Sequence, residues 1–275
     1  MAHVERFAKF DQALLHLREA LEGEENHDYR CIMQVGLSVL GRGQRFYLPS
    51  AKYVLNQKNF ASMMPLIRLP YSGIALLSDT FLDGDENRTA HLLSLACEPS
   101  FAGQNLGLPH EDFFLMSMVM VPEFGRWAFL PAIGSCGLDD SPDLIKISAF
   151  PIQGVWPTRK LSAAAELQSD LHSVTNLCVM LNLHNVATRV VEPSARLNKK
   201  RILHDRQPLY SYRVLVVDGE CWDRPETAQS DEKGGVRSHL RRGHIRRLDE
   251  TRCIWVRATY VHGSRPGFVD KDYAL

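Results

Sequence analysis

The sequence predicts an α+β fold in which helices flank a mostly antiparallel sheet and an arginine-rich β-hairpin lies near the C-terminus. Apolar residues recur at helical spacing over residues 4–22 and 162–186. Between these segments, short apolar runs alternate with turn residues, and residues 236–261 form two strand-like runs joined by a turn. The 275 residues are enough for one large domain or two small ones.

The helices are predicted from apolar spacing and from the residues at their ends. The first, over about 4–22, is followed by Gly23, a common helix stop. Its apolar residues lie three or four positions apart: Phe7, Phe10, Leu14, Leu17 and Leu21. A second helix is predicted to begin after Ser50 and to end at Pro65. In the helix over 162–186, Ser162 is the predicted cap, and the apolar stripe indicates core packing.

Five short apolar runs between turn signals predict the strands of the sheet. They are Ile74–Leu77, His91–Ala96, Phe113–Val121, Trp127–Ile133 and Leu144–Phe150. The third run is apolar on both faces, which predicts a central strand that is covered on two sides. Farther along the chain, a basic connector over 196–210 leads to a strand, Tyr212–Val217, and to an exposed acidic loop over 218–235.

The formal net charge is zero, with 32 basic and 32 acidic residues, but the charges are unevenly distributed. Residues 1–188 carry 14 Lys and Arg against 20 Asp and Glu, whereas residues 189–257 carry 16 against 10. We therefore divide the chain into an acidic α+β scaffold region, 1–188, and a basic C-terminal region, 189–275, which one continuous domain would also accommodate. A local excess of cations is typical of surfaces that bind nucleic acid or acidic peptides.

The most concentrated basic segment is 237–247, which contains no acidic residue. It carries five arginines and two histidines: Arg237, His239, Arg241, Arg242, His244, Arg246 and Arg247. Alternate residues of a strand share a face. The side chains of Arg237, His239 and Arg241 are therefore predicted to face one way, and those of Arg242, His244 and Arg246 the other. A one-residue bulge near Arg241–Gly243 would bring all six to one side.

Arginines and aromatic residues together favour RNA or nascent-chain binding, because guanidinium groups bind phosphates and rings stack on bases. The predicted binding residues are those of 237–247 together with Trp255 on the return strand and three connector residues, Lys199, Lys200 and Arg201. The structural alternative is a solvated basic strand whose long side chains cover apolar neighbours.

A catalytic alternative is a metal-independent endoribonuclease. Of His239 and His244, one would then take the 2′-hydroxyl proton and the other would protonate the leaving oxygen, while arginines offset the charge on the phosphate. A zinc site at these histidines is not expected, because the arginines would repel a dication and the spacing matches no common zinc signature. The sequence contains no GxxxxGK[ST], GxGxxG after a strand, GxSxG or HExxH motif. We therefore expect a binding protein without cofactor or metal, rather than an enzyme.

The six cysteines are widely separated and form no CxxC pair, which predicts free thiols in a reducing compartment. The N-terminus lacks an apolar signal core, and no apolar run approaches the roughly 18 residues that span a bilayer. These features predict a cytoplasmic protein with no membrane partner.

Five segments follow one another in the C-terminal part: RLNKKR (196–201), QPLYSYRVL (207–215), RSHLRRGHIRRL (237–248), CIWVRATYV (253–261) and GFVDKDYAL (267–275). This order resembles a phage- and plasmid-borne protein family that includes a type V-A anti-CRISPR. In that family an N/K-K-R element precedes PLYxYxxL, and an HxRRxH element precedes a short aromatic-rich strand. The chain departs from this pattern at Ile245 and Ala258, where relatives often have tryptophan and proline.

The resemblance, which covers about the last eighty residues, implies a phage-encoded regulator that acts in the host cytoplasm. Members of the anti-CRISPR branch recognise the nascent N-terminal peptide of the CRISPR effector nuclease and lower its expression through loss of its mRNA. The implied partners are RNA or a ribosome–nascent chain complex, and a host-defence polypeptide. A structural phage protein, in which the arginines form a subunit contact, is a further alternative.

Overall fold

The structure is a computed structural model that describes residues 2–48, 67–81, 89–102, 112–121, 125–138, 145–152, 163–217, 237–241, 244–249, 252–256, 259–261 and 265–268. The helix predicted after Ser50, the cap residue Ser162 and the acidic loop over 218–235 lie outside these ranges. The described residues form helices, a nine-stranded and mostly antiparallel sheet, and a two-stranded C-terminal hairpin. The predicted α+β class is therefore confirmed.

Two helices precede the sheet. Helix α1 spans Ala2–Glu22, in agreement with its apolar spacing. Helix α2 spans His27–Arg42 and was not predicted, although its sequence carries a clear start signal. The Oδ1 atom of Asn26 accepts a hydrogen bond from the Tyr29 N–H at 3.0 Å, which satisfies one of the amide groups that a helix start leaves without a partner.

The first nine strands form the large sheet. They are β1 (Gln44–Leu48), β2 (Gly73–Phe81), β3 (Thr89–Cys97), β4 (Phe113–Val121), β5 (Arg126–Phe129), β6 (Ala132–Leu138), β7 (Ile145–Pro151), β8 (Val186–Val191) and β9 (Tyr212–Val217). Their order is β7-β6-β4-β3-β2-β1-β9-β8, and β5 also pairs with β4. Strand β1 is parallel to β2 and β9, whereas the pairs from β2 to β7 are antiparallel.

Helical layers cover both faces of the central strands. A short helix, α3 (Pro99–Ala102), follows β3, and the long helix α4 spans Ala163–Leu181. One core cluster joins α1 and α2 to the sheet, and a second joins α4 to the opposite face. Side chains of β4 alternate between the two clusters, with Met116 and Met118 in the first and Leu115 in the second. The two-sided burial predicted for this strand is thus confirmed.

Two predicted elements have different bounds in the structure. The run Trp127–Ile133 is two strands, because the chain turns at Pro131, which has no N–H to donate to a ladder. At this turn, the Leu130 N–H donates to the Ser117 carbonyl at 2.9 Å and the Ala132 N–H to the Leu130 carbonyl at 2.8 Å. The helix predicted over 162–186 ends at Leu181, and residues 186–191 are strand β8.

The basic connector is partly helical. Helix α5 spans Ala195–Leu203, and the Oγ atom of Ser194 caps it by accepting a hydrogen bond from the Leu197 N–H at 3.2 Å. None of the α5 residues is buried. Because the segment lacks a wide apolar stripe, its periodicity did not predict a helix.

The C-terminal strands are short. They are β10 (Arg237–Arg241), β11 (His244–Arg247), β12 (Cys253–Val256), β13 (Thr259–Val261) and β14 (Arg265–Phe268). The chain divides into two compact units, Met1–Leu181 with Thr188–Leu215, and Asn182–Ala187 with Val216–Leu275. The division at residue 188 that charge indicates stays a prediction.

No disulfide joins the cysteines within the described residues. The same part of the chain contains no helix that is both long enough and apolar enough to cross a membrane.

A polar cluster is enclosed between α4 and the sheet. Asp170 of α4 is fully buried, as are Ser94 in β3 and Ser117 in β4, which stand directly opposite one another. Burial raises the pKa of Asp170 to about 7, and the hydroxyls of Ser94 and Ser117 offset only part of this effect. Neither carboxylate oxygen of Asp170 has a hydrogen-bond partner of normal geometry in the described part of the chain. The neutral acid is therefore the form that the fold favours.

We expect Asp170→Asn to remove a pH dependence of stability. The unfolded chain releases the Asp170 proton near its ordinary pKa of about 4, but the folded chain keeps it until about pH 7. The free energy of unfolding of the wild type therefore falls as the pH rises from about 4 to 7, by up to about 4 kcal/mol. Urea unfolding of wild type and variant at pH 5 and pH 8 measures the difference. The variant should gain stability relative to the wild type at pH 8.

The exposed Asp28 provides the control, since Asp28→Asn removes the same acid from a solvated position. The free energies of unfolding of wild type and Asp170→Asn could differ by the same amount at both pH values. That result would show that the buried carboxyl is not protonated in the folded protein.

Candidate nucleic-acid interface

The predicted C-terminal hairpin is formed by β11 and β12. Arg247 stands opposite Cys253 and His244 opposite Val256 in an antiparallel register. At the turn, the Leu248 N–H donates to the Arg252 carbonyl at 2.8 Å. The Oδ1 atom of Asp249 accepts from the Arg252 N–H, also at 2.8 Å. The Asp249 side chain therefore bonds the backbone across the turn between β11 and β12.

The outer edge of β12 is bonded to the segment that follows α4. The side-chain amide of Asn185 donates to the Trp255 carbonyl at 2.7 Å and accepts from the Trp255 N–H at 2.8 Å. The His184 N–H donates to the Cys253 carbonyl at 2.9 Å. Asn185 is buried, and its amide therefore takes the place of a peptide group in a neighbouring strand.

Apolar side chains fix the hairpin on both sides. Ile245 and Cys253 are buried on the face that also carries Trp255, and Ile254 is buried on the other face. Both backbone groups of Trp255 bond to Asn185 and therefore point away from β11, so Ile245 and Trp255 form a pair without ladder hydrogen bonds. In such pairs the side chains lie closer together than in hydrogen-bonded pairs.

Two of the predicted arginines are exposed on this ribbon. Arg246 and Arg247 are consecutive in β11 and therefore point to opposite faces. The Nε atom of Arg247 donates to the Asp249 carbonyl at 3.1 Å, which orients its guanidinium group next to the turn. Arg247 shares its face with the half-buried ring of Trp255. A guanidinium group and an aromatic ring on one face can bind a phosphate and stack on a base, respectively.

For the remaining residues of the basic run, we describe the strand to which each belongs and the residue opposite it. Arg237, His239 and Arg241 lie in β10, which pairs with β13 and β14. His239 stands opposite Val261 and Arg241 opposite Thr259. His244 begins β11, and Arg242 lies outside the described residues.

The one-residue bulge considered near Arg241–Gly243 falls partly on residues 242–243, which lie outside the described residues. Two residues separate the paired segments on each strand, 242–243 on one and 257–258 on the other. A bulge would leave an extra residue on one strand only, and the described pairs on either side keep a single register without such a one-residue shift. The ribonuclease hypothesis depended on this shift to bring His239 and His244 to one face.

The three predicted connector residues lie in α5, which belongs to the first unit, whereas the hairpin belongs to the second. Lys199 and Lys200 are exposed. Arg201 is engaged within the fold, where its Nη2 atom lies 2.6 Å from the Asp11 carboxylate and its Nε donates to the Gln207 carbonyl at 2.8 Å. These contacts hold α5 in place, and they leave Lys199 and Lys200 as the exposed cations of the predicted set.

Asn185 is not among the predicted residues, because no local signal in the sequence identifies it. A single asparagine after a helix is usually a cap or a turn residue, and its partner lies 70 positions away in the sequence. Among the described residues, no group of three or more His, Cys, Asp or Glu side chains is arranged to hold a metal ion.

We expect Asn185→Ala to destabilise the hairpin by about 1–3 kcal/mol, because both backbone groups of Trp255 lose their partner. Hydrogen exchange of the Trp255 amide should accelerate, and the Trp255 fluorescence should shift toward that of a solvated indole. His184→Ala provides a matched control, since its exposed side chain is removed while its N–H bond to Cys253 is kept. Equal exchange rates in the two variants would contradict a structural role for the Asn185 amide.

Comparison of the chain with protein-family models, with curated proteins and with solved structures found no match.

Proposed function

We propose that the chain is a regulatory RNA-binding protein that contacts the phosphate backbone through its C-terminal hairpin. The observation that supports this most directly is the pair of exposed arginines, Arg246 and Arg247, on a ribbon that is held by the buried side chains of Ile245, Cys253 and Ile254. A fixed ribbon holds the guanidinium groups in place, so less conformational entropy is lost when they bind phosphates. The absence of acidic residues from 237–247 adds to the positive potential of this segment.

The half-buried Trp255 supports RNA over a purely electrostatic partner. Its ring lies on the same face as Arg247 and is partly accessible. Single-stranded RNA presents unstacked bases, and stacking on an aromatic side chain contributes about 1–3 kcal/mol per base. Duplex DNA does not offer base faces in this way.

The resemblance to the anti-CRISPR family suggests where the RNA is met. We propose that the chain acts in a host cell on mRNA that is being translated, and that it lowers the expression of a host-defence polypeptide. In this proposal the nascent polypeptide provides target selection, and the hairpin provides affinity for the RNA or the ribosome. The exposed Lys199 and Lys200 of α5 would add cationic contacts.

We expect Arg246→Glu and Arg247→Glu each to weaken RNA binding about tenfold, because each removes a charge-assisted phosphate contact and adds repulsion. Fluorescence anisotropy with a single-stranded oligoribonucleotide, at several salt concentrations, measures the affinity. The slope of log affinity against log salt should decrease in magnitude by about one for each arginine. Co-sedimentation with translating ribosomes tests whether the same residues matter in the larger complex.

Arg18→Glu is the control, since it makes the same charge change at an exposed position of α1. RNA affinities of the hairpin variants that equal that of the control would refute the proposed interface. If the variants instead abolish self-association in sedimentation velocity and leave RNA affinity unchanged, the arginines form a subunit contact and the structural alternative is correct.

A further inference from the structure

A surface that is both basic and apolar lies in the first unit, on the short helix α5 and the part of α1 bonded to it. The described part of the chain exposes six large apolar side chains, and three of them are Leu15, Ile202 and Leu203. Arg201 of α5 and Asp11 of α1 form an ion pair at 2.6 Å. Ile202 and Leu203 directly follow Arg201, and Leu15 lies one helical turn after Asp11 on the same side of α1. Half of the exposed apolar side chains therefore lie near one ion pair.

The orientation of α5 follows from its contacts with the fold. Leu197 packs against the core, and Asn198 exchanges two hydrogen bonds with the backbone of Leu209, at 2.8 and 3.1 Å. Together with Arg201, these residues define the inner side of the helix. The outer side carries residues that recur at intervals of three and four and are all exposed: Arg196, Lys199, Lys200 and Leu203. These four residues, with Ile202 and Leu15, are the α5 surface.

Specific bonds hold α5 in place although it buries none of its residues. At its end, the Arg206 N–H donates to the Arg201 carbonyl at 2.9 Å and the Asp205 N–H to the Ile202 carbonyl at 3.1 Å. Asp205 adopts a φ of 53°, in the left-handed region, which completes a Schellman stop. A helix of nine residues is marginally stable by itself in water. These bonds therefore present the outer side chains on a fixed backbone, which lowers the entropy lost on binding.

The charges and the apolar side chains of this surface select different features of a partner. Among the exposed charged residues of 195–206, four are basic and one, Asp205, is acidic. The basic residues are Arg196, Lys199, Lys200 and Arg206. They attract acidic groups. Leu203 is 74% and Ile202 58% exposed, and full burial of such a side chain contributes about 1.5–3 kcal/mol. A partner that has both carboxylates and apolar groups therefore fits best.

Two other anionic partners match this surface less well. Proteins bind single-stranded RNA with cations and aromatic rings, but the α5 surface has no aromatic residue on which a base could stack. A membrane surface takes up a helix with a broad apolar face. In α5, Leu197 packs against the core, which leaves Ile202 and Leu203 as its exposed apolar side chains. A polypeptide, in contrast, offers carboxylates and apolar side chains within a few residues of each other.

We propose that the α5 surface binds an acidic polypeptide segment that carries apolar side chains. Leu203 and Ile202 pack against the apolar residues of this segment, with Leu15 at the edge of the contact. Lys199 and Lys200 bind its carboxylates. Apolar contacts surrounded by polar and charged ones are the usual arrangement of protein–protein interfaces. The inference goes beyond RNA binding by the hairpin, and it gives Lys199 and Lys200 a polypeptide partner.

The test uses the full chain and a library of random peptides displayed on phage. Peptides are selected on the wild type, counter-selected on Leu203→Ser and sequenced. Because Leu203 is well exposed, this substitution leaves the fold intact. We expect the enriched peptides to contain more Asp and Glu, and more Leu and Ile, than the input library. Enrichment of basic peptides, or no enrichment after counter-selection, would overturn the proposal.

Fluorescence anisotropy of a labelled enriched peptide then measures the affinity of single variants. Leu203→Ser and Lys199→Glu should each weaken binding about tenfold, as expected for residues at the centre of an interface. The effect of Lys199→Glu should become smaller at high salt. Lys199→Arg keeps the charge and should bind like the wild type. Leu248→Ser, at an exposed position of the second unit, is the matched apolar control. Equal affinities for all four variants would place the peptide elsewhere and refute the proposed surface.

The same variants distinguish other occupants of the surface. Leu203→Ser should leave the sedimentation velocity of the chain, its affinity for an oligoribonucleotide and its binding to phosphatidylglycerol vesicles unchanged. A loss of self-association, RNA affinity or vesicle binding in this variant would assign the surface to a second copy, to RNA or to a membrane, and the peptide partner would be rejected. Arg246→Glu should keep the peptide affinity of the wild type. Failure of this inference is therefore distinguishable from failure of the hairpin as an RNA interface.

Discussion

The central strands of the large sheet carry apolar side chains on both faces, so each face needs a helical layer to keep water away from it. Helices α1 and α2 provide one layer and α4 the other. Polar groups inside this arrangement must therefore either be neutral, as the fold favours for Asp170, or lie toward a strand end where solvent is within reach. Tyr47, Asp79 and His91 meet the second condition, because they are hydrogen-bonded to one another and the side chains of Asp79 and His91 are partly exposed. The same layering thus decides which polar groups are enclosed and which remain accessible to solvent.

In the second unit, the hairpin must be stabilised without a large sheet around it. A two-stranded ribbon is marginally stable by itself, and here buried side chains on both of its faces and the amide of Asn185 along one edge support it. Arg246 stands opposite Ile254, and Arg247 opposite Cys253. The aliphatic part of each arginine can cover a buried neighbour while the guanidinium group stays in water. One short strand can therefore pack against buried neighbours and still expose both guanidinium groups.

Sequence patterns identified elements whose signal is local. The nine-residue apolar run of β4 and the largely apolar run of β9 have the predicted bounds, and α1 follows its apolar spacing. Pairing between distant segments has no such signal. The register of β10 and β11 with their partners decides whether a bulge exists, and Gly243 permits either outcome. Asp79 and His91 are likewise ordinary strand residues until the ladder places them opposite one another. Composition therefore indicates where the basic hairpin lies, whereas nothing in the local sequence indicates the pairing of Asp79 with His91.

The amide of Asn185 has a consequence for how copies of this protein meet. A strand edge with unpaired N–H and C=O groups is a template on which another chain can add a strand. A basic ribbon with such an edge would therefore also tend to self-associate. At Trp255 both backbone groups are already engaged by a side chain, and the Cys253 carbonyl is engaged by the next residue back. The Asn185 side chain ends the ladder at β12. Unlike a strand, it presents no second row of backbone groups with which a further strand could pair. One buried asparagine thus occupies backbone groups on the β12 edge with which a strand of another copy would otherwise pair.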